Sequence, residues 1–299
     1  FTFVYNFFAS LLRALGNSAV PLVFLAVAAL LNIVLDLYFI LSLSMGVAGA
    51  ALATVISQGV SAALIAVYCF WKVPLVRVRL REIRPGAGQF QEIAKFSLLT
   101  SAQQSIMNFG ILMIQGLVNS FGVAVMAAFA AAVKIDSFAY MPVQDFGNAF
   151  STFIAQNHGA GKADRIRRGI RSAVRSSVLF CIVISLAVCL FADKLMLIFI
   201  QPEETEIIAL GAQYLRIEGA CYCGIGCLFL LYGLYRGIGK PGMSIVLTVI
   251  SLGTRVLLAY ALAPIPAIGL LGIWWAVPIG WLLADITGLF YYRKIKKAL

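Results

Sequence analysis

Three oxygen-bearing side chains in otherwise apolar sequence are candidates for chemistry. Asn32 and Asp36 are one helical turn apart and share a helix face, and Thr54 lies in the next apolar stretch. A rise of about 1.5 Å per residue places Asp36 and Thr54 at about 8 and 12 Å below the outer membrane surface. A carboxylate, an amide oxygen and a hydroxyl at one depth suit Na⁺, or a proton held by the carboxylate. A hydrogen bond between Asp36 and Thr54 that only joins two helices fits the spacing equally well.

A second set of polar residues recurs at helical spacing further along the chain. We predict that this stripe lines a water-filled cavity, with Gln104 and Asn108 contacting substrate, since helix packing alone needs fewer polar groups. Helix packing is the alternative. The stripe consists of Ser97, Ser101, Gln104, Asn108, Gln115 and Asn119.

Charged residues inside apolar segments are functional candidates because an isolated charge is unstable in lipid. Lys134 and Asp136 are predicted near mid-membrane and are assigned to the same substrate cavity. Residues two apart do not share a helix face, so one of the two is expected to pair with a neighbouring helix. Pro142 is predicted to bend this helix and to serve as a hinge.

Other reactive groups have simpler interpretations. We interpret Glu218 and Arg255 as a structural ion pair, and the spacing does not assign Asp285. The six cysteines lie inside apolar runs, and we interpret them as helix-packing residues and not as metal ligands. The single histidine, His158, lies in a glycine-rich turn without phosphate-loop spacing, so neither an enzyme nor a cofactor is expected.

The composition indicates that helices of a membrane protein position these groups. Apolar residues make up 62% of the 299 residues and charged residues 12%, which excludes an ordinary soluble domain. Stretches of about 20 apolar residues recur, the length that crosses a bilayer. We predict nine membrane segments, at 1–14, 19–41, 46–71, 93–119, 123–156, 170–192, 207–236, 241–263 and 269–292.

Basic residues occur in every second connection between these segments. That alternation predicts that the basic connections and the C-terminus lie in the cytoplasm. We therefore expect a protein of the inner or plasma membrane. It also explains the net charge of +11 without nucleic acid as a partner. The basic residues between 73 and 90 are predicted to contact the anionic inner leaflet.

The two ends of the chain are related by an offset of 223 residues. Identical residues meet at that offset in Arg13 and Arg236, Gly16 and Gly239, Gly46 and Gly269, Gly49 and Gly272, and Ala53 and Ala276. Six crossings separate the copies, so both run in the same direction through the membrane. We therefore expect residues 1–72 to be three helices of a first lobe, 73–90 a linker and 91–299 a second, six-helix lobe. We also expect three further helices upstream, twelve in all.

Several motifs resemble those of the multidrug and toxic compound extrusion (MATE) transporters. They are Leu12 to Ser18 with its echo Tyr235 to Pro241, Met45 to Ala51, Lys134 to Gly147 and Gln156 to Lys162. The resemblance implies an all-α, polytopic, two-lobe helical bundle. It also implies export of drugs or organic cations by antiport with Na⁺ or H⁺, and we expect a monomer in the bilayer.

The resemblance also implies site residues. Some members hold the coupling ion with an Asn and an Asp on the fifth helix and a Thr on the sixth, which match Asn32, Asp36 and Thr54; their Asp on the first helix has no counterpart in this chain. Other members use a Glu and an Asp in the second lobe, where this chain has Met107 and Ile225. Two other functions remain open: a flippase for a lipid-linked saccharide, which several cavity arginines would favour, and a non-transporting receptor or scaffold.

Overall fold

A computed structural model of the chain describes residues 1–77 and 86–296. These residues form helices without β-strands, and their contacts divide the chain into two units, Phe1–Ala87 and Gly88–Leu299. The second unit begins with a helix that starts at Ala87, within the range predicted as a linker. Residues 78–85 of that linker and 297–299 of the basic tail lie outside the described residues.

Unit 1 contains three helices. They are α1 (Thr2–Ala14), α2 (Ala19–Leu37), which continues as a π-helical turn over Tyr38–Ser42, and α3 (Gly46–Lys72). A short 3₁₀ turn follows at Pro74–Val76. A small apolar core joins α1 to α3 through Phe8, Leu12 and Ile65. The Tyr5 hydroxyl donates a hydrogen bond to the Pro21 carbonyl at 2.8 Å and ties α1 to the first turn of α2.

Unit 2 contains seven helices, and one of them is mostly buried. They are α4 (Ala87–Asn119), α5 (Val123–Gly159), α6 (Ala163–Met196), α7 (Thr205–Ala220), α8 (Tyr222–Gly237), α9 (Pro241–Leu262) and α10 (Gly269–Ile295). Helix α8 packs against α5, α6, α9 and α10, and most of its side chains are buried in the apolar core. The side chains of α8 are therefore held in fixed positions relative to these four helices.

The predicted segment 207–236 is not one continuous helix, because α7 and α8 meet at Cys221 with a bend of 53°. At the bend the Cys221 amide donates to the Glu218 carbonyl at 2.9 Å and the Gly224 amide to the Cys221 carbonyl at 2.8 Å. These bonds span three residues instead of four, which tightens the backbone and ends the α-helix. The apolar sequence continues through the bend without a proline, so the hydrophobic pattern does not reveal it.

Within the described residues, six helices are long and apolar enough to cross a membrane, and α7 with α8 makes a seventh if the bent pair is one span. The other two predicted crossings are α1, with 13 residues, and α4, which carries the polar stripe. The protein is thus a multi-pass helical membrane protein.

The sequence repeat is also present in the backbone. Gly16 and Gly239, 223 residues apart, both have a positive φ, of 87° and 77°. Most residues with a Cβ atom are strained in that conformation, so the turn after α1 and the turn after α8 need glycine for the same reason. Gly46 and Gly269 also share a positive φ, of 55° and 46°.

Hydrogen bonds around these turns repeat with the same offset. The Asn17 amide donates to the Leu12 carbonyl at 2.9 Å, and the Lys240 amide donates to the Tyr235 carbonyl at 2.8 Å. Helices α3 and α10 each have 27 residues, and both their first and their last residues are 223 positions apart. The two copies are therefore structural repeats.

Candidate functional site

The predicted ion ligands in unit 1 lie on α2 and α3. Asp36 and Asn32 are half-buried on α2. Among the residues that the structure describes, Asp36 Oδ1 and Asn32 Nδ2 are buried without a hydrogen-bond partner. A buried polar atom without a partner is unfavourable by about 1–3 kcal/mol, which points to a ligand or water at this position.

Thr54 behaves differently from the other two. Its side chain is exposed, and its hydroxyl donates to the Ala50 carbonyl of its own helix at 2.9 Å. The alternative in which Thr54 donates to Asp36 and joins two helices is therefore wrong. The Thr54 oxygen retains a lone pair for an ion, so the three-residue site remains a prediction.

In unit 2 the break between α7 and α8 positions two polar side chains. Glu218 lies in the last turn of α7 and is 2% exposed, and Tyr222 is the first residue of α8. The Tyr222 hydroxyl donates to Asp136 Oδ1 on α5 at 2.6 Å. Broken membrane helices form polar sites in this way because their ends leave backbone groups outside the helical ladder.

Asp136 and Glu218 line a cavity of about 160 Å³, which we call the acid cavity. Asp136 and Glu218 contribute two carboxyl groups from α5 and α7, and Arg255 contributes a guanidinium from α9. Met107 and Ile225, the positions where some MATE members have acidic residues, are also in its wall. The volume has room for several waters but is smaller than the roughly 300 Å³ of a drug-sized pocket.

The predicted ion pair between Glu218 and Arg255 is wrong. The two residues share the acid cavity, yet within the described part of the chain no ion pair joins them, and Glu218 Oε1 and Arg255 Nε are buried without hydrogen-bond partners. A different arginine, Arg216 on α7, pairs with Asp193 on α6. The sequence identified Glu218 and Arg255 as neighbouring groups but not their geometry, because helix spacing does not fix the direction of a side chain.

Lys134 and Pro142 occupy other positions on α5. The sequence assigned Lys134 and Asp136 to one substrate cavity, but Asp136 lines the acid cavity and Lys134 does not: the Lys134 ammonium lies 5.7 Å from the ring centre of Phe199. Helix α5 continues through Pro142 as one helix, and Pro142 lines a separate, mostly apolar cavity of about 230 Å³ against α6. Its role as a hinge remains a prediction.

A second cavity of unit 2, of about 170 Å³, has mostly polar walls, and we call it the polar cavity. Gln103 and Gln104 on α4, Gln144 and Asn148 on α5, and Arg236 on α8 contribute to its walls. It adjoins the acid cavity, because three side chains line both cavities: Met107, Phe229 and Tyr232.

The predicted polar stripe of α4 coincides with this wall only at Gln104. The other stripe residues, Asn108 included, are exposed on unit 2 and lie outside the walls of these two cavities. The row that faces the cavities contains Thr100, Gln103 and Met107. This row is displaced from the stripe by one residue, or about 100° of helix rotation. The sequence pattern selected Gln104 and missed Gln103, because the two adjacent glutamines each fit a different row of helically spaced residues.

The cysteines are free thiols distributed over buried and half-buried positions. Among the described residues, no three His, Cys, Asp or Glu side chains form a group that would hold a metal ion. Asp285, which the sequence left unassigned, is a buried residue of α10 beside the Cys227 thiol, and it lines a mostly apolar cavity between α8 and α10.

The bond between Tyr222 and Asp136 provides a stability test. We expect Tyr222→Phe to lower the free energy of unfolding by about 2 kcal/mol, because it leaves the buried Asp136 Oδ1 acceptor without its donor. The matched control is Tyr235→Phe, which removes a 2.6 Å bond to the neutral Gly288 carbonyl and should cost about 1 kcal/mol. Thermal unfolding of the purified variants measures both, and an equal or smaller effect at Tyr222 would contradict this cost of leaving Asp136 Oδ1 without a donor.

Comparison with known proteins places the chain in a family. The MatE family model matches residues 97–261. The chain is 32% identical over 295 residues to a probable multidrug resistance protein, YpnP, of Bacillus subtilis (strain 168), covering 98% of this chain and 65% of that relative. A probable multidrug resistance protein, NorM, of Thermotoga maritima is 26% identical over 93% of this chain and 60% of the relative. The chain thus spans less than two thirds of the length of these relatives.

A more distant relative and a solved structure extend the comparison. The FAD transporter of Shewanella oneidensis is 23% identical over 95% of this chain and 63% of its own length. A MOP superfamily transporter from Pyrococcus furiosus matches with a TM-score of 0.92 at 24% identity, over 98% of this chain and 66% of the other, which establishes the fold. Because the family model matches more than half of the residues, the chain belongs to the MatE family, the multidrug and toxic compound extrusion transporters, and not to a family of enzymes.

Proposed function

We propose that the gene product is a secondary active transporter that exports drugs or toxic organic cations by antiport with Na⁺ or H⁺. It acts as a monomer in the inner or plasma membrane, with its C-terminus in the cytoplasm, and the coupling ion is its only cofactor. Residues Asn32, Asp36 and Thr54 bind that ion. Gln104, Asn108, Lys134 and Asp136 belong to the substrate path, and Pro142 permits α5 to bend.

One observation carries the coupling part of this proposal. In the described residues of unit 1, Asp36 and Asn32 each retain a buried polar atom without a hydrogen-bond partner, inside a helix apolar enough to span a membrane. A carboxyl group in that environment needs a proton or a cation to be stable. Its position also matches that of the ion site in some members of the family.

Competition between ion and drug gives the mechanism. A ligand shifts a conformational equilibrium only by the difference in its affinity for the two states. An ion at Asp36 that favours the outward, drug-releasing state therefore lowers drug affinity, and bound drug lowers ion affinity by the same factor. Entry of the ion down its gradient then drives export.

The two other functions have weaker support. A flippase for a lipid-linked saccharide would be favoured by several arginines in one cavity, whereas in the described residues the acid cavity and the polar cavity contain one arginine each. A receptor or scaffold has no need of an acidic side chain inside a membrane helix, so the buried Asp36 oxygen does not favour that function. The relatives named for multidrug resistance and for FAD transport favour small molecules as cargo.

Dye efflux under imposed gradients tests the proposal. Cells that express the complete gene product are loaded with ethidium, and an inward H⁺ or Na⁺ gradient is applied separately. We expect one of the two gradients to accelerate efflux at least about tenfold over vector-only cells, since typical coupling free energies of 1–3 kcal/mol correspond to 5–150-fold. Efflux of a panel of cationic dyes that is equal to the vector control under both gradients would contradict the proposed export function.

A further inference from the structure

The polar cavity contains a charge that the proposed export of cations leaves unexplained. Arg236 is its charged wall residue, and within the described part of the chain no carboxylate lines that cavity. The side chains around it are amides and hydroxyls, from Thr100, Gln103, Gln104, Gln144, Asn148 and Tyr232. A cationic drug would be repelled by this wall, and a group with negative charge would be attracted to it.

The guanidinium of Arg236 is held in a fixed orientation. Its Nη2 donates to Asn148 Oδ1 at 2.9 Å, and its Nε donates to the Tyr232 carbonyl at 3.3 Å. A guanidinium has five N–H donors. In the described residues two of those donors have protein acceptors, and Arg236 is only partly buried. The remaining donors are therefore available to a ligand, on a group that loses little freedom on binding it.

The neighbouring amides are held in place as well. Gln103 is buried and donates to Thr248 Oγ1 on α9 at 3.1 Å, which fixes the α4 side of the cavity. Gln144 donates to the Tyr140 hydroxyl at 3.3 Å, and Tyr140 lines the acid cavity. Gln104 is exposed and retains its amide donors. The wall is thus organised around Arg236 before a ligand arrives.

We infer that the polar cavity is an oxyanion subsite that binds a carboxylate of a small-molecule ligand, with Arg236 as its main ligand. A guanidinium with free donors matches a carboxylate by two parallel charge-assisted bonds. A cavity of about 170 Å³ with one guanidinium suits a single negative charge. The inference deepens the proposed function, because it specifies substrates that carry an acid group as well as a cationic one.

The acid cavity supports this substrate class. It shares Met107, Phe229 and Tyr232 with the polar cavity, and its own wall contains two carboxyl groups, of Asp136 and Glu218, against the one guanidinium of Arg255. A ligand whose cationic group lies near the two carboxyls and whose carboxylate lies near Arg236 complements both cavities. Neither cavity alone reaches the size of a drug-sized pocket, whereas a ligand that spans the shared wall uses both.

A pair of dyes that differ in one group tests the subsite by binding alone. Rhodamine 110 carries a cationic ring system and a free carboxylate, and rhodamine 123 is its methyl ester. Fluorescence polarisation with the purified, complete gene product measures both affinities in detergent without lipid. We expect the free acid to bind at least about tenfold more tightly than the ester, the ratio that one charge-assisted hydrogen bond supplies.

Two variants assign that preference to the cavity. Arg236→Gln should reduce the affinity of the acid to that of the ester. Because Arg236 also ties α8 to α5, Gln104→Glu provides a second test: it retains size and adds a negative charge at the wall, so the preference should fall at least about fivefold. Gln115→Glu is the matched control, on the exposed face of the same helix and outside the cavity, and should leave the preference unchanged.

Equal affinities for the two dyes in the unaltered protein would overturn the inference. So would an acid preference that survives both Arg236→Gln and Gln104→Glu. Displacement of the acid dye by phosphatidylglycerol, with no displacement by a small carboxylate, would assign the subsite to a lipid headgroup instead. Since these readouts need no ion gradient, an intact acid preference in a protein that fails the efflux test leaves the subsite valid and removes only the export function.

Discussion

Asp36→Asn should abolish ion-driven dye efflux while the protein is still made and still binds dye. Asparagine has nearly the same size as aspartate, so the packing of α2 should be retained. It has no charge and takes up no proton in the physiological range, and its single carbonyl oxygen is a weak ligand for Na⁺. The variant protein therefore loses the difference in ion affinity between its states, which is the only quantity that couples a gradient to transport.

The expected magnitude is large because coupling depends on one buried group. We expect gradient-driven efflux to fall at least about tenfold, to the rate of cells without the transporter, since a coupling free energy of 1–3 kcal/mol is lost. Ethidium affinity, measured on the purified protein without a gradient, should stay within about threefold. The comparison of initial efflux rates under the effective gradient measures the first quantity.

Asp285→Asn is the matched control for this change. Asp285 is also a buried acid whose Oδ1 has no hydrogen-bond partner in the described residues, but it lies in unit 2 on α10 beside the Cys227 thiol. We expect this variant to retain gradient-driven efflux. Normal efflux in Asp36→Asn would remove Asp36 as the coupling residue, and equal loss in both variants would show that the assay detects damage to any buried acid.

The sequence predicted the helices well because membrane helices are long and their boundaries carry chemical signals. Basic connections and turn glycines delimit each crossing, and the repeat predicted equivalent turns after Ala14 and after Gly237, where the backbone has the same positive φ and the same hydrogen bonds. These features are local, so residue type and order are enough to find them.

The break between α7 and α8 and the walls of the cavities depend on information that is not local. Cys221 ends a helix within an apolar run, because short-range backbone bonds and packing on α6 favour a bend there. Gln103 and not Asn108 faces a cavity, because α4 is rotated by its contacts with other helices. Glu218 and Arg255 line the same cavity, but their spacing along the chain does not orient the two side chains towards each other.

Gly233→Ala should strongly destabilise the packing of α8 against α5 in unit 2. Helix α8 contacts α5 backbone to backbone at this point: a Cβ on Gly233 would overlap the Gly147 carbonyl, and a Cβ on Gly147 would lie 2.8 Å from the Phe229 carbonyl. A flexible side chain would move aside, but two helix backbones in a packed core cannot. We expect a loss of about 3 kcal/mol, the upper range for overpacking, and a fall in the unfolding temperature of about 6 °C or more.

Gly253→Ala is the matched control, because that glycine of α9 has open space where its Cβ would lie. It should have a neutral or slightly stabilising effect, since alanine favours a helix more than glycine does. Size-exclusion chromatography and thermal unfolding of both purified variants measure the difference, and a Gly233→Ala protein with the unfolding temperature of the parent would contradict the tight contact.

The Gly233→Ala change should also affect both cavities, because Tyr232 and Arg236 lie within one turn of Gly233. A shift of α8 away from α5 would lengthen the Arg236–Asn148 bond, so any folded Gly233→Ala protein should also lose its preference for the acid dye.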